Sequence, residues 1–276
     1  MNTSMPHPHI AFIGGGNMAS AIIGGLIGQG HPASAVHIVE PWDEQRERLS
    51  AAFPGVQIAA APSEALRQAQ LVVWAVKPQT FKEAAQSTAP WVTEALHLSV
   101  AAGITSNSIA AWLGSGRIVR AMPNTPALVG LGMTGLFARA AATPADRSLV
   151  DKVVATTGDF VWVDDEKQLD AVTALSGSGP AYVFYFLEAM RDAGTEMGLP
   201  PELAQRLAMG TFAGATALAQ QASDPLQTLR ERVTSKGGTT YAALSSMEAS
   251  GVKAHFQQAM WEAQKRAEEL GVEFGK

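Results

Sequence analysis

Short apolar runs punctuate the first 163 positions, each closed by glycine, proline or a charge and separated by amphipathic stretches. Runs of that length with β-branched residues predict strands at 10–13, 36–40, 56–58, 71–76, 96–100, 117–121, 132–137 and 160–163. The run at 71–76 is apolar throughout, as expected of a parallel strand buried on both faces. Between the strands, period-3.6 patterns predict helices at 17–29, 43–52, 62–69, 106–113 and 143–156. In the first of these Met18, Ile22, Ile23, Leu26 and Ile27 share a face. Ser106 and Thr143 are the expected caps, with Pro144 in the first turn of the last helix. From Asp164-Asp165-Glu166 onward the pattern changes, and no strand is expected. Helices are predicted at 181–197, 201–221 and 252–270. The segment 181–187 is apolar on every side, so it must be buried all round. A helical half this small has trouble covering it, which predicts an intimate two-fold dimer.

The strand at 10–13 ends in three glycines that open the helix from Asn17. Gly14, Gly16 and Ala19 fit the pattern G-x-G-x-x-(G/A) in the strand–turn–helix setting that gives it meaning. Gly14 permits the tight turn, Gly16 lets a pyrophosphate approach the backbone, and Ala19 lets helix and strand lie close. The free amides of the first helical turn, with the helix dipole, then face the anion. The alternative is a plain glycine-rich turn. The expected fold class is therefore α/β, with an N-terminal Rossmann-type doubly wound sheet (residues 1–163) and an all-α dimerisation and substrate-binding domain (residues 164–276).

Further residues at strand ends extend this picture. Glu40 stands about twenty residues beyond the turn, where such folds place an acid against the adenosine ribose; otherwise it is a charged strand end. In the first case it repels a 2′-phosphate and favours NADH, and Pro41 supports this by offering no N–H. Arg46 and Arg48 soften that bias. Lys77, followed by Pro78 in an expected loop, either touches cofactor or solvates that loop. Ala101, Ala102 and Gly103 either leave room for a flat nicotinamide or allow close packing against a helix. The stiff loop Met122-Pro123-Asn124-Thr125-Pro126 is placed to orient the nicotinamide amide or the substrate.

Composition narrows the classes. Of 276 residues, 47% are hydrophobic and 16% charged, which is globular rather than disordered. A net charge of −5 argues against nucleic acid as a partner. The absence of cysteine removes disulfides, thiolate zinc sites and cysteine nucleophiles, and fits a cytoplasmic location. No metal site is expected; His7 and His9 form at most a loose pair on a solvated terminus. The start of the chain has no apolar stretch of signal-peptide type and reads as a short mobile lead-in. The uncharged run 171–187 holds Gly177, Gly179 and Pro180, a poor membrane span.

Two turns in the second half are not explained by packing: Ser176-Gly177-Ser178-Gly179-Pro180 and Val233-Thr234-Ser235-Lys236-Gly237-Gly238-Thr239-Thr240. Each is expected to set hydroxyls and bare amides at a helix start, which suits a carboxylate. Together with Phe12-Ile13-Gly14-Gly15-Gly16-Asn17-Met18, Ala75-Val76-Lys77-Pro78, Ala101-Ala102-Gly103 and Arg120-Ala121-Met122-Pro123-Asn124-Thr125-Pro126, they give the chain a resemblance to pyrroline-5-carboxylate reductases. The matching stretches keep that family's order and span nearly all of the chain. The resemblance implies reduction of Δ1-pyrroline-5-carboxylate to L-proline by NADPH or NADH. It also implies an active site at the junction of the two domains, completed by a partner subunit. It further implies homo-oligomers built from dimers through the helical domain, with rings of five dimers among them. By the same resemblance Ser235, Gly237 and Gly238 hold the substrate carboxylate, with Thr239 and Ser178 beside them, and Thr240 hydrogen-bonds the ring nitrogen. Gly14, Gly15, Gly16, Asn17, Met18, Glu40, Ala75, Val76, Lys77, Pro78, Ala101, Ala102, Gly103 and Asn124 line the cofactor. Two departures stand out. Lys236 sits where proline is commoner and is given no role. Glu40-Pro41 lacks the Asn-Arg or Ser-type pair that suits a 2′-phosphate.

The chemistry needs no general base. A protonated cyclic imine is already an electrophile, so positioning and electrostatics suffice. A β-hydroxyacid dehydrogenase would need a lysine on an early helix of the second half, and residues 181–190 contain none. An imine reductase for another small cyclic imino acid and a cofactor-sensing oligomer remain the alternatives.

Overall fold

The computed structural model describes residues 7–275, so all of the expected lead-in over residues 1–8 except His7 and Pro8 lies outside the described residues, and the His7 ring stands edge-on to His31. The first half alternates strand and helix: β1 (Ile10–Ile13), α1 (Asn17–Gly28), β2 (Val36–Val39), α2 (Asp43–Ala52), β3 (Gln57–Ala59), β4 (Leu71–Trp74), α3 (Pro78–Thr88), β5 (Leu96–Ser99), α4 (Ser106–Leu113), β6 (Ile118–Met122), β7 (Gly132–Ala138), α5 (Pro144–Val154) and β8 (Gly158–Trp162). One eight-stranded sheet runs β3-β2-β1-β4-β5-β6-β7-β8. All its neighbours are parallel except β6 and β7. Chain order reverses between β1 and β4, the switch point at whose carboxyl ends ligands bind in such sheets.

Both faces of this sheet are packed. Phe12, Val73 and Leu98 point into one layer with Ile23 of α1. Ala11, Trp74 and Phe81 belong to the opposite layer. Strands buried on both faces have no polar side to display, which is why β1 and β4 read as unbroken apolar runs.

Helix ends follow local chemistry. Thr143 caps α5 and Asp146 returns the bond to the Thr143 amide, a full capping box. The cap of α4 is Thr105, which accepts from the Ser108 amide, and not Ser106 as expected. The segment after Lys77 is helical from Pro78, not a loop, because proline in the first turn gives up no ladder bond. The expected helix at 62–69 is a 3₁₀ turn over Glu64–Gln68.

Beyond β8 every regular element is helical: α6 (Gln168–Val172), a π-helical turn at Thr173–Gly177, α7 (Gly179–Glu196), α8 (Pro201–Gln221), α9 (Leu226–Arg232), α10 (Thr239–Ala249) and α11 (Val252–Phe274). The chain divides into two compact units, Met1–Ser178 with Ala263–Lys276, and Gly179–Glu262. The first unit thus extends past Val163 and takes in the end of α11. Side-chain size explains both additions. Gly135 on β7 has no Cβ, so Leu169 and Val172 of α6 lie directly on it. Gly103 likewise makes room for Leu270 of α11.

Candidate active site

The turn after β1 is fixed from several directions. Gly14 has φ +91°, and a Cβ there would stand 2.7 Å from the Ala75 carbonyl oxygen. Its amide donates to the Val39 carbonyl at 2.8 Å. The Gly15 amide donates to Glu40 Oε2 at 2.8 Å, and its carbonyl accepts from Gln45 Nε2 at 2.6 Å. Gly16 is different: it is exposed, it caps α1 without a side-chain bond, and nothing lies within 4 Å of where its Cβ would be. The ladder of α1 begins with the Ser20 amide bonding Gly16, so the amides of Asn17, Met18 and Ala19 precede it. Open space over Gly16, in front of unladdered amides, fits a pyrophosphate.

Glu40 follows β2 and is buried, with its second oxygen accepting from the Trp42 amide at 3.1 Å. Arg46 does not reach over the turn. Its guanidinium donates to the carbonyls of Glu40 and Pro41 at 3.0 and 2.7 Å and pairs with Asp43. The guanidinium beside Glu40 is therefore already held by three acceptors.

At the neighbouring strand ends the expected residues divide. Ala75 and Val76 are half-buried beside Gly14, while Lys77 is exposed and its carbonyl closes the first turn of α3 with Thr80. Ala101 is buried and its amide donates to Ser99 Oγ at 3.3 Å. Gly103 serves close packing, since a Cβ there would lie 2.9 Å from that of Leu270. The Asn124 carboxamide is turned into the fold. It accepts from the Met133 amide at 2.9 Å and donates to the Ser176 carbonyl and hydroxyl at 3.3 and 3.2 Å.

One residue at this end of the sheet escaped the sequence reading. Glu166 accepts from the Ser106 amide and hydroxyl, each at 2.6 Å, and from Arg120 at 2.8 Å. Arg139 completes the group by donating to Ser106 Oγ and Asn107 Oδ1. Burial works against the Glu166 carboxylate, but the Ser106 and Arg120 hydrogen bonds outweigh it and hold its pKa below the usual range. The start of α4, just after Ala101-Ala102-Gly103, is thereby closed to other anions. No spacing rule signals this, because the partners lie 46 and 60 residues apart.

The two turns of the second half come out differently. Ser176-Gly177-Ser178 is not a helix start with bare amides. It continues the π-helical turn, and the Ser178 amide donates to the Thr173 carbonyl at 2.8 Å. The Ser176 hydroxyl donates to the Met133 carbonyl at 3.2 Å. Gly177 is packed on Met122, whose terminal methyl lies 2.5 Å from where a Cβ would stand.

The turn before α10 does have the expected form. Gly237 has φ +75°, Gly238 caps α10 without a side-chain bond, and the Gly238 amide donates to the Ser235 carbonyl at 3.0 Å. The ladder of α10 begins with the Ala242 amide on Gly238. The amides of Thr239, Thr240 and Tyr241 therefore precede it, and the Ser235, Thr239 and Thr240 residues are exposed beside them.

α7 carries no buried residue within the single chain. Tyr182 and Phe186 are half-buried and stand edge-on to Phe256, but Phe184 and Tyr185 are 60% and 70% exposed, so the all-apolar segment is only partly covered by its own chain. Among the described residues no cluster of three or more His, Asp or Glu could hold a metal, and no helix is long and apolar enough to cross a membrane.

Two family models match the chain. The model for pyrroline-5-carboxylate reductase dimerisation spans residues 166–270, and that for NADP oxidoreductase, coenzyme F420-dependent, spans 9–103. A pyrroline-5-carboxylate reductase of Pseudomonas aeruginosa is 44% identical over 99% of this chain and 100% of its own. The solved structure of one from Coxiella burnetii superposes with a TM-score of 0.89 at 36% identity, over 96% of this chain and 98% of that one. A Plasmodium falciparum pyrroline carboxylate reductase solved with NADP bound gives 0.86 at 27% identity, over 97% and 100%. With that identity over nearly its whole length, the chain belongs to the pyrroline-5-carboxylate reductase family.

Proposed function

We propose that this chain reduces Δ1-pyrroline-5-carboxylate to L-proline with NAD(P)H, the last step of proline biosynthesis. One observation carries the reading. A single chain holds both a dinucleotide-shaped turn over Gly14–Gly16 and an exposed turn, Ser235–Thr240, whose unladdered amides and hydroxyls suit a small carboxylate. The bound nicotinamide supplies the hydride. The residues of the chain do the rest. Gly16, Asn17 and Met18 hold the pyrophosphate at a turn that Gly14 and Gly15 shape, their own amides being taken by Val39 and Glu40. Glu40 holds the adenosine ribose, and Ala75, Val76, Lys77, Pro78, Ala101 and Ala102 frame the remainder. Gly103 and Asn124 shape that frame from behind through Leu270 and Ser176. Ser235, Gly237, Gly238 and Thr239 bind the substrate carboxylate. For Ser178 only the hydroxyl is left to join them, its amide being taken by Thr173. Thr240 holds the ring nitrogen as its positive charge falls, accepting before reduction and donating after. Orientation and electrostatics do the work, and no general base is required.

In the same reading residues 1–163 bind the dinucleotide, and residues 164–276 form the dimer and complete the substrate site with the partner subunit. Dimers assemble further, and the enzyme works in the cytoplasm. NADH is well used, because buried Glu40 repels a 2′-phosphate and Arg46 is held by three acceptors. The test is the loss of NADH absorbance when Δ1-pyrroline-5-carboxylate is added. A flat trace with cofactor demonstrably bound sinks the proposal. Reduction of Δ1-pyrroline at the same rate as the carboxylate would remove the role given to Ser235, Gly237 and Gly238 and favour a broader imine reductase.

A further inference from the structure

Trp42 is 75% exposed, and among the described residues no ring contact or side-chain hydrogen bond engages its indole. Its place makes this exposure informative. The Gly15 amide donates to one Glu40 oxygen, and the Trp42 amide donates to the other, so Glu40 locks both to itself. Pro41 stiffens the link between Glu40 and Trp42 by fixing its own φ. The order Gly15, Glu40, Trp42 matches the order of groups in the adenosine half of a dinucleotide: pyrophosphate, ribose, base. Among the described residues next to this turn, Trp42 is the exposed aromatic side chain. The segment after β3 presents Ala60, Ala61 and Pro62, and Arg46 is held down on the carbonyls of Glu40 and Pro41.

We propose that Trp42 is the platform on which the adenine stacks, and so sets affinity for the adenosine half of the cofactor. This rests on the placement of the dinucleotide at Gly14–Gly16. Every base offers a π-face, and an indole is the best flat partner a protein supplies. The backbone amide that holds Glu40 survives any substitution except proline, so the side chain is separable from the turn.

The experiment uses ADP-ribose, which lacks nicotinamide, with calorimetry and intrinsic tryptophan fluorescence on the full chain. In the wild type ADP-ribose binds and quenches part of the emission. In Trp42→Ala the quenched component disappears and Kd rises about tenfold. Trp42→Phe, which keeps a smaller ring, retains most of the affinity and loses the quenching. An unchanged Kd in Trp42→Ala overturns the inference, as does an equal loss in both variants. Absence of ADP-ribose binding to the wild type overturns instead the placement of the dinucleotide at the glycine turn.

Discussion

At Gly14–Gly16 the chain turns between a buried strand and the helix laid against it; at Ser235–Thr240 it turns between two helices with no buried residue. Both turns leave three amides outside the helix ladder, yet they are held differently. The first is clamped by Val39, Ala75, Glu40 and Gln45, residues drawn from three separate elements and their ends. The second rests on bonds inside its own neighbourhood: Gly238 to Ser235, and Thr234 to Arg230 and Glu231. A clamped turn has its ordering cost met during folding, so a large invariant ligand finds it ready. A locally held turn keeps its groups in water until the substrate arrives. On the proposed function the first region is framework and the second carries the chemistry.

The largest effect that sharpens this division is Thr240→Ala. We expect kcat to fall about 10²- to 10³-fold, as for loss of one well-placed hydrogen-bonding group at a reacting centre. The Kd for NADH should change little, and Thr240→Ser should restore most of the rate. Unchanged kinetics would remove Thr240 from the mechanism and blur the division.

Next comes one substitution made at both turns. Gly14→Ala forces a Cβ into a positive φ and against the Ala75 carbonyl, 2.7 Å away. Strain and overlap together should cost about 3 kcal/mol. Gly237→Ala meets the same φ penalty, but nothing lies within 4 Å of the added carbon. About 1 kcal/mol is expected there. Urea midpoints read both, and equal losses would mean that the two turns are held alike.

Acid offers a third test, of about the same size. His97 on β5 is buried, and burial, then the Arg117 guanidinium, push its pKa from 6.5 down to about 4. Trp74 Nε1 donates to its Nδ1 at 3.3 Å, a bond that needs the neutral ring. The unfolded chain therefore binds this proton more tightly. The stability from His97 is complete above pH 6.5 and is lost as pH falls from 6.5 to about 4, roughly 3 kcal/mol in all. Trp74 precedes Ala75, the residue against Gly14, so cofactor affinity should weaken over the same window. Urea midpoints at pH 7 and 4.5 in the wild type and His97→Gln isolate the effect; identical slopes would refute it.

The same contrast explains what the sequence could disclose. Strands β1, β4 and β5, helices α1 and α2 and the capping box at Thr143 follow from patterns within one segment, and the sequence carries them openly. Ser235–Thr240 was legible for the same reason, being a local turn. Glu166 was not, since its role depends on Ser106 and Arg120 meeting it across the sheet. Nor was the π-helical turn at Thr173–Gly177, where glycines and serines that look like a helix start are absorbed by Asn124, Met122 and Met133. Gly103 belongs with these: its smallness serves Leu270, 167 residues on, and only the tertiary fold says so.

The smallest effect asks whether Glu40 acts as framework or as a reader of the cofactor. Its carboxylate accepts from the Gly15 and Trp42 amides, and glutamine keeps the shape but replaces one acceptor with a donor. Glu40→Gln should thus loosen the turn and raise the KM for NADH by a few-fold, by about 1 kcal/mol for a lost charge-assisted bond. It also removes the negative charge that, on the proposed function, faces a 2′-phosphate. The Arg46 guanidinium stays on its carbonyls, so no new attraction replaces the lost repulsion. The two effects oppose each other for NADPH, and the loss common to both cofactors cancels in the ratio. The kcat/KM for NADPH relative to NADH should rise about tenfold, near 1.4 kcal/mol. A fall in both constants with an unchanged ratio would make Glu40 a clamp alone, and discrimination would then have to come from elsewhere on the rim.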